Sequence, residues 1–416
     1  MNEPSRRQIL AAFPSLLAVR AAFEERLSGQ DPRGAAMRLP TRAEYLLDDG
    51  VTYLNHASVG TIPRLVHEAH VGYLAACESN PWLHVWGGAW SDGLERAHRL
   101  AAGVMGTGED SVALIRNATA AFGMAANGLP FDEGDEVLYG SLNHVGASAS
   151  WQDAAKARGF TVRRFEFPIH DVASLSRDDV TAAYVDAIQD STRALILPHV
   201  DNVFGLRHDV KEIARKARER GVQWILVDAA QSVGMHPVRF DELRVDVYAT
   251  SAHKWLQAPK GTGIMALSAR ALREMRPMVT SWGQKSWEGS ARMFTDFGTR
   301  DLARILTLGD AIELHKRTSE GREARLSSLR DHLKERVDAS PKHEWRSPAA
   351  YETEGASLVA VGLREGSAKA LARSLFEEHG VIVRGFEGDG LNHIRVSPNV
   401  MNTVEEIDGL CRVLGC

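Results

Sequence analysis

From about Asp92 onward the chain alternates two kinds of segment, and that alternation limits its possible folds more than any other feature. Short, almost continuous apolar runs recur: SVALIR, EVLYG, TVRRFEF, RALILPHV, WILVDA, VDVYATS and GIMALS. Between most of them lie stretches that read as helices, such as AAFGMAANGL, SASWQDAAKAR and VKEIARKARER. A strand that is apolar on both faces needs cover on both, so the pattern predicts an α/β fold with a mainly parallel central sheet flanked by helices. VTYLNHAS (Val51 to Ser58) reads as a short strand and turn opening the folded body. A long helical stretch is expected from about Asp301 to Val337. After it, SLVAVGL, VIVRGF and HIRVS read as strands, with helices over Ala368–His379 and Thr403–Leu414, which makes a smaller α+β C-terminal domain. The expected division is an N-terminal extension (1–40), a large domain (41–300) and a small domain (301–416).

A net charge of −5 creates no global field that would draw nucleic acid or anionic lipid, so neither is an expected partner. The basic run Lys211 to Arg220 reads as the solvated face of a helix. No apolar run approaches the ~18 residues of a membrane span. Cys77, Cys411 and Cys416 form no metal-ligand or CxxC spacing, and no metal site is expected. At the N-terminus, Ser5-Arg6-Arg7-Gln8-Ile9-Leu10 runs into an apolar stretch ending at Val19, as twin-arginine export signals do, with Val19-Arg20-Ala21 as a tolerable cleavage site. Pro14 lies inside that stretch, where it would disrupt a structural helix. Export to the periplasm is the expectation, with the cytoplasm as alternative.

In sheets of this kind ligands sit at the carboxyl ends of strands. Thr119, His144, Asn202, Asp228 and Ser251 all fall at or just past such ends. Thr250-Ser251-Ala252-His253-Lys254-Trp255 adds a lysine downstream of a strand that closes on Asp228. A buried carboxylate at a strand end needs a cationic partner, and a protonated pyridine nitrogen supplies one. Lysine plus aspartate in this order predicts pyridoxal 5′-phosphate (PLP), joined to Lys254 as a Schiff base, with Asp228 on the ring nitrogen and Gln231 donating to the ring hydroxyl oxygen. RNATAAFG places Ala118, Thr119 and Ala120 at a helix start suited to the phosphate, assisted by Ser251 and His253.

These motifs resemble the class V aminotransferase family of fold-type I PLP enzymes, over roughly Val51 to the C-terminus. The resemblance implies that His144 in NHVGASASW stacks on the cofactor and that Asn202, in His199-x-x-Asn202-x-x-Gly205, bonds cofactor or substrate. It implies that Gly298-Thr299 reaches the phosphate of a neighbouring subunit, hence a homodimer with a shared active site. It also implies that Arg395, in the R-x-S pattern with Ser397, clamps the substrate carboxylate. A Rossmann nicotinamide site is excluded, because Gly261-x-Gly263 precedes a strand instead of opening a helix.

Within the family, YLNHASVGTIP (Tyr53 to Pro63) and FGTRD (Phe297 to Asp301) resemble the isopenicillin N epimerase-like group, with Asn55 and His56 near the active-site mouth. VIVRGFEGDGLNHIR, between Val381 and Arg395, carries no cysteine, which disfavours a cysteine desulfurase. The expected activity is therefore removal of the Cα proton of an amino-acid or peptidyl amino-acid metabolite by Lys254, leading to C–S β-elimination or epimerisation. Transamination, oxidative decarboxylation or deamination, and a catalytically silent scaffold are the alternatives. Trp282 and Trp287 are read as core or interface residues before pocket residues.

Overall fold

The structure, a computed structural model, describes residues 14–29, 37–295, 298–351 and 354–416. The Arg6–Arg7 pair and Phe297 lie outside them. A seven-stranded sheet forms the centre, in the order β2 (Val112–Ile115), β8 (Gly263–Leu267), β7 (Val247–Ser251), β6 (Trp224–Asp228), β5 (Thr192–Pro198), β3 (Glu136–Gly140), β4 (Thr161–Phe165). β7, β6, β5, β3 and β4 pair in parallel, while β8 is antiparallel to both its neighbours. The reversal follows from connectivity: β7 and β8 are joined by the loop 252–262, with no crossover helix between them. Every residue of β2, β6, β7 and β8 is buried, as strands covered on both faces must be.

The covering helices show how their sequences choose a face. Val210–Glu219 starts at Asp209, whose side chain accepts from the Glu212 amide, and buries Val210, Ile213, Ala214 and Ala217 at helical spacing. The expected single helix over 301–337 is two, Leu302–Arg317 and Arg322–Asp338, broken where Gly321 takes a positive φ of 77°. The helix Arg64–Ser79 was not anticipated. Pro14, expected to harm a helix, opens one, Pro14–Gly29; in the first turn its missing N–H costs nothing. Phe23 and Leu27 of that helix are buried, and Val19 to Ala21 lie within it.

The C-terminal region forms an antiparallel sheet in the order β12 (Arg384–Gly388), β13 (Leu391–Val396), β10 (Val359–Leu363), β9 (His343–Trp345). β1 (Thr52–Tyr53) pairs in parallel with β11 (Val381–Ile382), and a bridge joins Asn55 to Ser397. The segment 52–58 is thereby attached alongside Arg395, although some 340 residues separate them in sequence.

Candidate active site

At the carboxyl ends of the parallel strands lies a cavity of about 220 Å³. β6 ends on Asp228, which is 7% exposed and accepts the Ala230 amide at 2.9 Å. No cation pairs with it at salt-bridge distance among the described residues. β7 ends on Ser251, and the chain turns at once to present Lys254 to the same cavity. Tight packing holds that turn. The Trp255 indole N–H donates to Gln231 Oε1 at 2.8 Å, the Gly60 amide donates to the His253 carbonyl at 3.0 Å, and a Cβ on Gly60 would meet the His253 and Lys254 carbonyls at 2.5 Å. Burial lowers the Lys254 amine to about 8; Asp228 opposes this, while Arg395 and Arg384 assist it. A lysine of lowered basicity near a buried carboxylate without a cation partner, both lining one cavity, fits a group that joins an amine at one end and offers a cationic ring nitrogen at the other. PLP meets both demands.

The remaining residues fit its other edges unequally. Asn117 caps the helix Ala118–Gly128 through Ala120, and Ser251 Oγ accepts from the Ala118 amide at 3.1 Å. Two of the amides expected for the phosphate are thus occupied within the chain, while Thr119, Ser251 and His253 line the cavity. Ala120 lines a different, larger cavity of about 600 Å³. Gly263 allows this helix start to approach, since a Cβ there would meet Asn117 backbone atoms at under 3 Å. His144 accepts the Gly146 amide on Nδ1 at 3.0 Å, which leaves the proton on Nε2, and burial lowers its basicity, with Asp228 opposing. Gln231 lines the cavity with its side chain held by Trp255 and by the Ala57 carbonyl.

Arg395 is almost fully buried on β13 and lines the cavity. It donates to the Asn202 carbonyl at 2.8 Å, Asn55 Oδ1 at 3.0 Å and Ser58 Oγ at 2.7 Å, all neutral acceptors, and its Nε has no hydrogen-bond partner among the described residues. Burial lowers it to about 9, Arg384 pushing the same way and Asp201 opposing. A buried guanidinium without a carboxylate suits a substrate carboxylate. Asn55 therefore acts through Arg395, whereas His56, expected at the mouth, is fully buried edge-on to Tyr53 and does not line the cavity. Gly298 and Thr299 line a separate cavity of about 300 Å³. Trp287 lies there also, under Arg292, and the Trp282 side chain falls outside the described residues.

Two contributors escaped the sequence reading. Asp201 is fully buried and accepts the Val203, Phe204 and Leu206 amides at 2.6 to 2.7 Å, which shapes the turn that carries Asn202. An acidic residue ahead of N-x-x-G was a readable turn signal. Arg384 also lines the cavity, and nothing in its local sequence marked it.

The family model Aminotransferase class-V matches residues 52–412, and the chain belongs to that family as a PLP-dependent enzyme of fold-type I. Isopenicillin N epimerase of Streptomyces clavuligerus is 29% identical over 90% of this chain and 96% of its own. A cysteine desulfurase of Haloferax volcanii is 28% identical over 94% of both chains. A solved structure of C-DES with glycine covalently linked to its PLP cofactor superposes with a TM-score of 0.80 at 23% identity, covering 90% of this chain and 99% of that one. Cysteine desulfurases recur among the relatives, which overturns the expectation that this activity is disfavoured and with it the preference for β-elimination or epimerisation. The segment between Val381 and Arg395 holds no cysteine, so the thiol that would attack and take up the sulfur has to come from elsewhere. Lys254, Asp228 and Arg395 line one cavity.

Proposed function

We propose that the chain is a cysteine desulfurase, a PLP-dependent enzyme that passes the sulfur of cysteine to an acceptor thiol as a persulfide and leaves alanine. The observation that carries this reading is that Lys254, Asp228 and Arg395 meet in one cavity, in a chain that aligns with a cysteine desulfurase over 94% of both lengths. When bound, PLP withdraws electrons from Cα of the attached amino acid. Asp228 would keep the ring nitrogen protonated, and its near-complete burial strengthens that pairing. Arg395, pre-oriented by Asn202, Asn55 and Ser58, would hold the α-carboxylate and so fix which Cα bond stands across the ring. The Lys254 amine, with its basicity lowered to about 8, would take and return the Cα proton. His144 stays neutral there and offers its Nε2 proton.

None of the three cysteines lines the cavity, so the test supplies the thiol. Holoenzyme given L-cysteine and excess dithiothreitol should form alanine and sulfide in equal amounts, because one thiol of dithiothreitol takes the sulfur as a persulfide and the other expels sulfide as the cyclic disulfide closes; Lys254→Ala should form neither. A wild-type protein that keeps its cofactor band yet yields neither product would overturn the reading. A homodimer belongs to the same proposal. The turn with Gly298 and Thr299 lies away from its own cavity, and the neighbouring exposed Met278 and Val279 line the 600 Å³ cavity beside Thr299. We infer that this face meets a second copy. Sedimentation equilibrium should return twice 45.6 kDa, and a monomer at micromolar concentration would contradict it.

A further inference from the structure

Two guanidinium groups face the cavity from adjacent strands. Arg384 on β12 is the register partner of Arg395 on β13, so their side chains leave the same face of the sheet. Phe386 lies under both, its ring centre 5.0 Å from the Arg384 guanidinium carbon and 5.6 Å from that of Arg395, and it stacks on His393. The two arginines differ in what they bind. Arg395 is buried and bonded to three neutral groups. Arg384 is exposed on the cavity wall and makes no hydrogen bond or ion pair among the described residues.

Like charges directly opposite one another on paired strands repel. The repulsion is felt here: Arg384 lowers the basicity of Arg395, of Lys254 and of His144. The acidic side chain that lines the cavity is Asp228, and the ring nitrogen requires it. One forked guanidinium satisfies one α-carboxylate. A second, placed over an aromatic ring beside the first, has an anion to bind only if the substrate carries another.

We propose that Arg384 sets side-chain specificity by binding a second anionic group at the end of the substrate's side chain, so that the enzyme selects α-amino acids ending in a thiolate, a carboxylate or a similar oxyacid. This rests on the amino-acid reading of the site and specifies which amino acids it accepts. Under that reading the thiolate form of cysteine is the form selected.

L-aspartate and L-asparagine separate charge from shape, because they are nearly isosteric and neither has sulfur to release. Each is titrated into the holoenzyme and its dissociation constant is read from the change in the cofactor absorbance band, with calorimetry as a second measure. Aspartate should bind about tenfold or more tightly than asparagine. Arg384→Ala should bring the ratio to about one, and Arg384→Lys should keep an intermediate preference, as a point charge without the fork. No preference in the wild type, an undiminished preference in Arg384→Ala, or loss of cofactor from that variant would each overturn the proposal. A cofactor band that neither amino acid perturbs in the wild type would sink the amino-acid reading itself, and this inference with it.

Discussion

At Lys254 two effects compete. Burial and two nearby guanidinium groups disfavour the ammonium, Asp228 favours it, and burial wins, with the amine lowered to about 8. The neutral amine attacks an aldehyde, so the cofactor-free protein should take up PLP faster as pH rises through about 8. Stopped-flow absorbance would show this, and a rate that falls with pH would contradict it. Borohydride reduction followed by mass spectrometry should find the cofactor on Lys254 and nowhere in Lys254→Ala. Arg395→Ala should raise KM by about 100-fold, the worth of a charge-assisted fork, while cofactor content is retained. Equal loss of both would assign Arg395 to the cofactor. The residues around Lys254 that would hold PLP were legible in the sequence because each lies at the end of an apolar strand or within four positions beyond it. Arg384 was not, because its place beside Arg395 depends on strand register.

The elements around the site act as fixtures for loops. The lysine loop is held against Gly60 and Gly234, where a Cβ would meet backbone atoms of the segment 253–256 at under 3 Å. Gly60→Ala should therefore displace Lys254 and weaken PLP binding by about tenfold or more, measured by equilibrium dialysis, with the far-ultraviolet spectrum unchanged. The turn 201–206 depends on Asp201 in the same way. Asp201→Ala leaves three amides without their acceptor and frees the carbonyl that orients Arg395, at a cost of about 3 kcal/mol in urea denaturation and a raised KM. The strand-and-helix alternation that announced the sheet was readable because parallel strands are apolar throughout. The break at Gly321 was not, since a single glycine inside a helical stretch does not by itself end a helix.

Across the whole molecule the ends of the chain meet its middle. Asp310, fully buried in the helix Leu302–Arg317, receives Arg20 from the N-terminal helix, Arg96 at 3.0 Å and the Tyr73 hydroxyl at 2.9 Å. Asp310→Ala would remove the buried carboxylate that both arginines share, leaving Arg20 only Glu24 and Arg96 only the more distant Glu313. A loss of about 3 kcal/mol is expected, at the low end for a buried pair because both arginines are about a quarter exposed and can rehydrate. Chemical denaturation would measure it, and limited proteolysis should cut the N-terminal helix sooner in the variant. By itself the sequence determined the fold class, the cofactor and the lysine–aspartate pair, because periodicity and strand-end placement are local properties of a chain. Only the tertiary structure decided what surrounds the substrate arginine. Its partners Asn202, Ser58 and Asn55 lie 193, 337 and 340 residues away, and contacts over such separations are set by how sheets and segments pack.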